Sequence, residues 1–288
     1  MSKGFVDLHT HSLMSDGMYR REELIEMARD CGIRYLAISD HNYFEDLNNL
    51  RKKYQDMFLI NAAEISCLYY DPHNYEHEIH IVALGFNGNN KELKELLKNN
   101  QMDRKIYIDL ILDALRQCHI DIGTYEDLLK KASRPNNMGR SLIAKEMVRL
   151  GYCKDVDEAF DEYIGAFGKR KAYVKNPTHY ASIEQVVNTV IKAGGIPVLA
   201  HLYYYCMDDT ENERLLDYFS KMTNGQGAME VNYAAYSIEL REILRQKACE
   251  YGLMISSGSD YHGHKQSDSL SNCFKYEDVE ELLRRIGL

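Results

Sequence analysis

Short apolar, β-branched runs recur along this chain, and most of them are followed at once by a histidine or a carboxylate. The runs predict strands at Phe5–His9, Tyr35–Ser39, Phe58–Ala63, Ile79–Leu84, Ile196–Ala200, Met229–Asn232 and Leu253–Ser257. Most are continuous rather than alternating, the pattern of strands covered on both faces. Helical patterns fill several of the gaps. Glu22–Cys31 carries Leu24, Ile25 and Ala28 at helical spacing and ends at Gly32. Ile183–Ala193 carries Val186, Val187, Val190 and Ile191 and stops at Gly194-Gly195, the turn into the next strand. Ile238–Glu250 repeats the pattern with Leu240, Ile243 and Leu244. Strand alternating with helix predicts a parallel α/β sheet or barrel.

Residues 91–181 break that alternation. Helical patterns cover Lys91–His119, Tyr125–Ala132, Ser141–Leu150 and Val156–Ile164, too much for one loop. They predict a helical insertion between the fourth and fifth strands, with its Leu, Ile and Met stripes as its own core. Residues 1–90 and 182–288 then form the remaining α/β unit.

Composition narrows the function. The formal net charge of -9 argues against a nonspecific nucleic-acid surface and against a stable nucleic-acid partner. No apolar run is long enough to span a membrane, and the N-terminus lacks a signal-peptide pattern. The cysteines, including Cys206 and Cys273, are scattered and odd in number, as in a reducing cytoplasm. The 22 tyrosines read as core and rim aromatics.

The coordinating residues fall at strand ends. His9 and His11, two apart, project to the same side by the period of a strand. Asp40-His41 ends the second strand, Glu64 ends the third, and His201 follows the fifth. Asp260 and His262 follow the seventh, while His80 stands near the start of the fourth. In a parallel barrel the C-terminal strand ends share one mouth. Taken singly, a histidine after a strand is ordinarily a satisfied one, and His73, His77, His119, His179 and His264 read that way. Six segments bringing such groups to one rim read as a metal site. Mixed imidazole and carboxylate ligands suit zinc, manganese or iron.

The set HTH (His9, His11), SDG (Asp16), SDH (His41), Glu64, HIVALG (His80), LAH (His201) and SDYH (Asp260, His262) resembles the PHP, or polymerase and histidinol phosphatase, family of metal-dependent phosphoesterases. The stretch GRSLIAKEMVRLGY and the tract Lys169–Val174 resemble its stand-alone subgroup acting on nucleotide phosphates. Members of that subgroup often carry Gly-Arg-Pro-His where this chain has Gly-Arg-Ser-Leu at 139–142. The resemblance implies a distorted seven-stranded (β/α)7 TIM-like barrel whose inserted helical subdomain covers the active site. It implies two or three divalent transition metal ions. His9, His11, Glu64 and Asp260 would hold one. Glu64 would bridge to a second, also bound by His80 and His201. Asp16, His41 and His262 would hold a third, although many relatives have histidine at the position of Asp16.

Two such cations roughly 3.5–4 Å apart can share a water and lower its pKa towards neutrality. The resulting hydroxide is the expected nucleophile for phosphoester hydrolysis. Glu64, His201, Asp260 and His262 form the expected catalytic set, with Asp40 orienting a ligating histidine. Three divalent ions outweigh Asp16, Glu64 and Asp260, leaving a positive pocket in an acidic protein. Arg140 at a predicted helix start, the cluster Lys169, Arg170 and Lys171, and Asn232 are candidate substrate contacts. Their plainer alternatives are a solvated basic turn and a strand cap. Gly165–Lys169 lacks the full phosphate-loop spacing, and no Gly-x-Ser-x-Gly elbow exists. The expected activity is release of phosphate from a small phosphorylated metabolite, a nucleoside 5'-monophosphate or 3',5'-bisphosphate. Alternatives are histidinol phosphate, a cyclic phosphate or oligonucleotide ends, or a metal-stabilised binding module with little turnover.

Overall fold

Among the described residues the strands fall into two sheets. The computed structural model describes residues 4–131, 139–165, 168–175, 180–205, 207–263, 270 and 274–288. The first sheet contains β1 (Phe5–Thr10), β2 (Ile33–Ile38) and β3 (Phe58–Ile60). The second contains β4 (Ala62–Tyr70), β5 (Glu76–Leu84), β6 (Ile196–Leu199), β7 (Ala228–Tyr233) and β8 (Met254–Gly258), in that order. A short β9 (Phe274–Lys275) completes the first sheet as β3-β2-β1-β9.

The expectation of a distorted seven-stranded barrel of parallel strands is corrected in two ways. The run Phe58–Ala63 is not one strand. It turns a corner at Asn61, its first half pairing with β2 and its second with β5. The second sheet is also mixed, because β5 runs antiparallel to both β4 and β6. Isolated bridges stitch the sheets together at both seams. At one, Glu64 pairs with His41, the Glu64 N–H donating to the Ser39 carbonyl at 3.1 Å. At the other, Thr10 pairs with Tyr261, and the Asp260 N–H donates to the His9 carbonyl at 2.8 Å.

Helices α1 (Arg21–Asp30) and α2 (Asn48–Lys53) belong to the first sheet, where Leu24, Ile25 and Ala28 pack on Leu36 and Ile38. The insertion supplies α3 (Lys91–Gln117), α4 (Tyr125–Lys131), α5 (Arg140–Arg149) and α6 (Val156–Ala159), the last running into a π-helical turn at Phe160–Ile164. Helices α7 (Ile183–Lys192), α8 (Asp209–Thr223) and α9 (Ile238–Glu250) cover the outer face of the second sheet, and α10 (Glu280–Arg285) ends the chain. The insertion has its own core, with Ile108, Ile111 and Leu115 of α3 against Leu128, Ile143 and Met147. The first turns of α3 behave differently, burying Leu93 and Leu97 in the layer over the second sheet. The border between the two cores therefore runs through α3, not at its start.

Strand parity explains where the polar site forms. On one face of β4, Ala62 is followed two residues on by Glu64; on β7, Ala228 is followed by Glu230. On β5 the same face reads His80, Val82, Leu84. The apolar members of these rows meet Val6, Leu8, Ala37 and Leu283 of α10 in one core. The polar members lie at the other end of the rows, so on these three strands the interior changes from hydrocarbon to polar side chains within two residues.

Five cysteines, Cys31, Cys67, Cys118, Cys153 and Cys249, are free thiols. His179, His264, Cys206 and Cys273 lie outside the described residues. Among the described residues no helix is long and apolar enough to cross a membrane.

Candidate metal centre

His9 and His11 leave the end of β1 with their Nε2 atoms 3.1 Å apart. Glu64 Oε2 lies 3.3 Å from the first and 3.2 Å from the second. Asp260 Oδ1 lies 3.3 and 3.1 Å away from the same two atoms. Four ligating atoms from three segments thus surround one point. The other Glu64 oxygen, Oε1, meets His80 Nδ1 at 2.8 Å and His201 Nε2 at 2.9 Å. The two oxygens of Glu64 therefore face two sets of imidazoles, the arrangement a bridging carboxylate needs. Farther out, Asp16 lies 3.3 Å from His262 Nε2 and 3.6 Å from His41 Nε2. The expected three-way division is blurred at two residues. His41 also brings Nδ1 to 3.0 Å from Glu64, and His11 brings Nδ1 to 3.7 Å from Asp16.

Glu64 and His80 sit differently along their strands from what sequence spacing suggested. Glu64 is the third residue of β4, which continues past the mouth to Tyr70. His80 is the middle residue of β5. Because β5 is antiparallel to β6, its C-terminal half pairs with β6, Leu84 opposite Ile196 and Ile81 opposite Leu199, so mid-strand His80 lies beside the C-terminal end of β6, where His201 follows. The antiparallel pairing thus brings a mid-strand residue to the mouth that its neighbours reach with their ends.

Backbone conformation aims two ligands. His201 has φ 25° and Asp260 φ 55°, left-handed values disfavoured for residues with a Cβ. Close approach constrains two glycines. A Cβ at Gly17 would stand 2.2 Å from the His11 carbonyl oxygen, which explains the glycine of Ser-Asp-Gly. One at Gly258 would stand 2.4 Å from His9 Cβ and 2.6 Å from Glu230 Oε1.

Sequence reasoning missed Glu230. This buried carboxylate of β7 accepts a hydrogen bond from His9 Nδ1 at 2.7 Å and another from the His201 N–H at 2.8 Å. Its only signal was an acidic residue inside Ala-Met-Glu-Val-Asn, an otherwise strand-like stretch. Two further supports were missed. The Tyr233 hydroxyl donates to Asp260 Oδ2 at 2.9 Å. Buried Asp7 accepts from the Ser259 N–H and hydroxyl, tying β1 to the segment that carries Asp260. Asp40 acts on a ligand at one remove. It accepts from the hydroxyls of Ser12 and Ser15, and Ser15 Oγ lies 3.3 Å from His11 Nδ1.

The donor set fits cations. A carboxylate can only accept, so the contact to Glu230 puts a proton on His9 Nδ1 and leaves the Nε2 lone pair of a neutral ring facing inward. That lone pair meets two carboxylate oxygens, which cannot donate to it, and His11 Nε2 at 3.1 Å, which can donate in only one of its tautomers. Glu64 Oε2 and His201 Nδ1 are buried without a hydrogen-bond partner among the described residues. Electrostatics tell the same story. Burial lowers the pKa of His9, but Glu230, Glu64 and Asp260 outweigh it and hold the ring well above its usual value. Burial is likewise overcome at His11 and His80, each pushed up to about 10 by neighbouring carboxylates. Glu64, despite its burial, is held well below the usual range by His41, His9 and His80. The cluster demands positive charge, whether from protons or from metal ions.

The candidate substrate contacts divide. Arg140 opens α5; burial pushes the Glu78 carboxylate up, but His80 outweighs it and the Arg140 charge helps to hold it low. Glu78 lies 3.7 Å from His80, so the Arg140 charge acts on a neighbour of the candidate metal ligands. Lys169 and Lys171 pair instead with Glu162, at 2.8 and 2.9 Å, and the Arg170 guanidinium lies over the Tyr173 ring. Asn232 donates to Ser257 Oγ and accepts from Arg245, the contacts of a strand-end brace. Away from the mouth, His77 lies 3.4 Å from Asp71 and belongs to a smaller cluster with Glu211.

Comparison with known proteins agrees with this geometry. The PHP domain family model matches residues 7–286. The chain is 31% identical over 259 residues to a 5'-3' exoribonuclease of Haemophilus influenzae, with 89% of each chain covered. It is 29% identical over 262 residues to a 3',5'-nucleoside bisphosphate phosphatase of Chromobacterium violaceum, covering 89% of this chain and 87% of that one. A solved structure of a candidate metal-dependent phosphoesterase from Bifidobacterium adolescentis superposes with a TM-score of 0.79 at 25% identity, covering 97% of this chain and 96% of that one.

Proposed function

The chain belongs to the PHP domain family of phosphoric ester hydrolases, and from that premise we propose that its substrate is a small nucleotide bearing a terminal phosphomonoester. A nucleoside 5'-monophosphate or 3',5'-bisphosphate fits best. The observation that carries this reading is the pair of Glu64 oxygens, each turned to its own set of imidazoles.

His9, His11, Glu64 and Asp260 would hold one divalent ion, Glu64, His80 and His201 a second, and Asp16, His41 and His262 a third. When bound, such ions supply Lewis acidity towards phosphoryl oxygens and a water of lowered pKa. The protein's own contribution is positioning. Glu230 fixes the His9 tautomer so that Nε2 faces the centre. Tyr233 holds Asp260 in place by its hydroxyl. His201 and His262 are taken as ligands rather than proton donors, since His201 Nε2 is engaged by Glu64 and His262 Nε2 faces Asp16.

Arg140 would hold a further phosphate of the substrate through its guanidinium. The insertion serves as the cover of the mouth in this reading. Its support is the Arg140 charge acting on Glu78 and Lys145 Nζ at 3.9 Å from the sulfur of Met18, two residues from Asp16.

Metal-replete protein should release phosphate from nucleoside 5'-monophosphates or 3',5'-bisphosphates, and elemental analysis should find two or three metal ions per chain. Arg140→Ala should raise KM about tenfold with kcat little changed, the loss expected for one charged hydrogen-bonding contact. A fall in kcat alone would move Arg140 to the transition state. A second reading, stepwise cleavage from RNA 5' ends, is favoured by the similarity to the Haemophilus exoribonuclease. Shortening of 5'-phosphorylated oligoribonucleotides would select it. No hydrolysis of either class would leave a metal-stabilised binding module.

A further inference from the structure

We propose that Tyr204 is a stacking platform for the base of the bound nucleotide; the inference rests on the reading that the ligand is a nucleotide. Tyr204 closes a single 3-10 turn, Leu202–Tyr204, that begins directly after the ligand His201. Its ring lies 6.3 Å from the His201 ring, and His201 Nε2 is itself 2.9 Å from Glu64. Tyr204 is 55% exposed, whereas its aromatic neighbours Tyr233 and Tyr236 are buried.

Those neighbours form a rigid mount. Tyr233 meets Tyr204 edge-on at 5.4 Å and 79°, and Tyr236 lies 6.3 Å away. Tyr233 is anchored by its hydroxyl to Asp260, and the Tyr236 hydroxyl accepts from the Tyr203 N–H at 3.2 Å. Edge-to-face packing of this kind holds a ring in place, while more than half of the Tyr204 surface stays open to solvent.

A phosphoester without an aromatic group would gain nothing from such a face. A nucleobase gains stacking that is tolerant of its identity, because every base presents a π-face. The chemistry that would recognise this site is therefore an anionic phosphate joined to a flat aromatic heterocycle, with little preference among the four bases.

The test compares binding of two phosphonates that cannot be hydrolysed at the bridge, one an analogue of adenosine 5'-monophosphate and the other of ribose 5-phosphate. Metal-replete protein should bind the first about tenfold more tightly. Tyr204→Leu should abolish that preference by weakening the adenosine ligand alone, and Tyr204→Phe should restore it. Equal weakening of both ligands in Tyr204→Leu would mean a structural role, and an intact preference would mean that the base binds elsewhere; either result overturns the proposal. Failure of the hydrolytic reading would show separately, as absent phosphate release from the natural esters, while the binding preference would still be read.

Discussion

The inner and outer halves of the ligand cluster are built by different means. His9, His11 and Glu64 are about 1% exposed or less, and their ligating atoms lie within 3.3 Å of a partner. Behind them stand further polar groups, Glu230 on His9 and the Ser15–Asp40 pair on His11. The outer half depends on Asp16, which is 40% exposed and lies 3.3 to 3.7 Å from its three imidazoles. Buried, doubly supported ligands are pre-organised and interact at low dielectric, whereas Asp16, buried at the Oδ1 that faces His11 and His262 but partly exposed over the rest of its carboxylate, is partly screened by water. The inner sites should thus hold metal tightly and the outer one loosely. Glu230 sharpens the contrast through charge. It adds a fourth carboxylate to Asp16, Glu64 and Asp260, so two divalent ions only neutralise the cluster. A net positive pocket able to attract a phosphate would then require a third, loosely held ion.

The largest effect should come from Glu64→Gln. The amide keeps the shape but removes the charge from the residue both inner sets share, so phosphate release should fall by roughly a thousandfold or more. Circular dichroism should show the fold retained, and elemental analysis a loss of at least one metal. An unimpaired variant would break the hub role on which the inner half depends. Glu230→Gln should come next. It frees His9 to adopt the other tautomer, and loss of such a support costs about ten- to a hundredfold in metal affinity or activity. Unchanged metal affinity would show that the tautomer is set by the metal itself, and the inner half would lose its claim to pre-organisation.

What was legible in the sequence follows the same division. Seven candidate ligands, His9, His11, His41, Glu64, His201, Asp260 and His262, could be placed on a rim because they follow predicted strands, whereas Asp16, His80 and the grouping of all nine came from the resemblance to the PHP family. Spacing set His80 near the start of its strand, so the mouth at which it arrives was not legible. Antiparallel pairing of β5 is a long-range choice, and Ile79–Leu84 reads equally well in either direction. Glu230 was illegible for a different reason. Nothing in Met229–Asn232 separates a support for His9, which is 221 positions away, from an ordinary strand residue at a sheet end. Lys169 and Lys171 show the converse. A basic cluster looks like a phosphate site until Glu162, several residues earlier on the adjoining helical turn, is seen to pair with both. Helices of the insertion were readable because their core is local, while the way α3 crosses between two cores depends on contacts to Asn42 and Ser66 far upstream.

The smallest effect, and the most informative about the contrast, should come from Asp16→Asn. The carboxylate is partly exposed, so its ionic contribution is about 1 kcal/mol, roughly fivefold in affinity for the outer ion. Titration with a chelator should then strip one metal ion per chain at a lower chelator concentration than in the unmodified protein, with the remaining ions unmoved. Turnover should fall by a similar factor at limiting metal and recover when metal is added in excess, because the inner ligands are untouched. If all ions left together, His11 and His41, which face both halves, would be transmitting the loss inward. The cluster would then act as one cooperative unit, and the distinction between a tight interior and a loose rim would have to be given up.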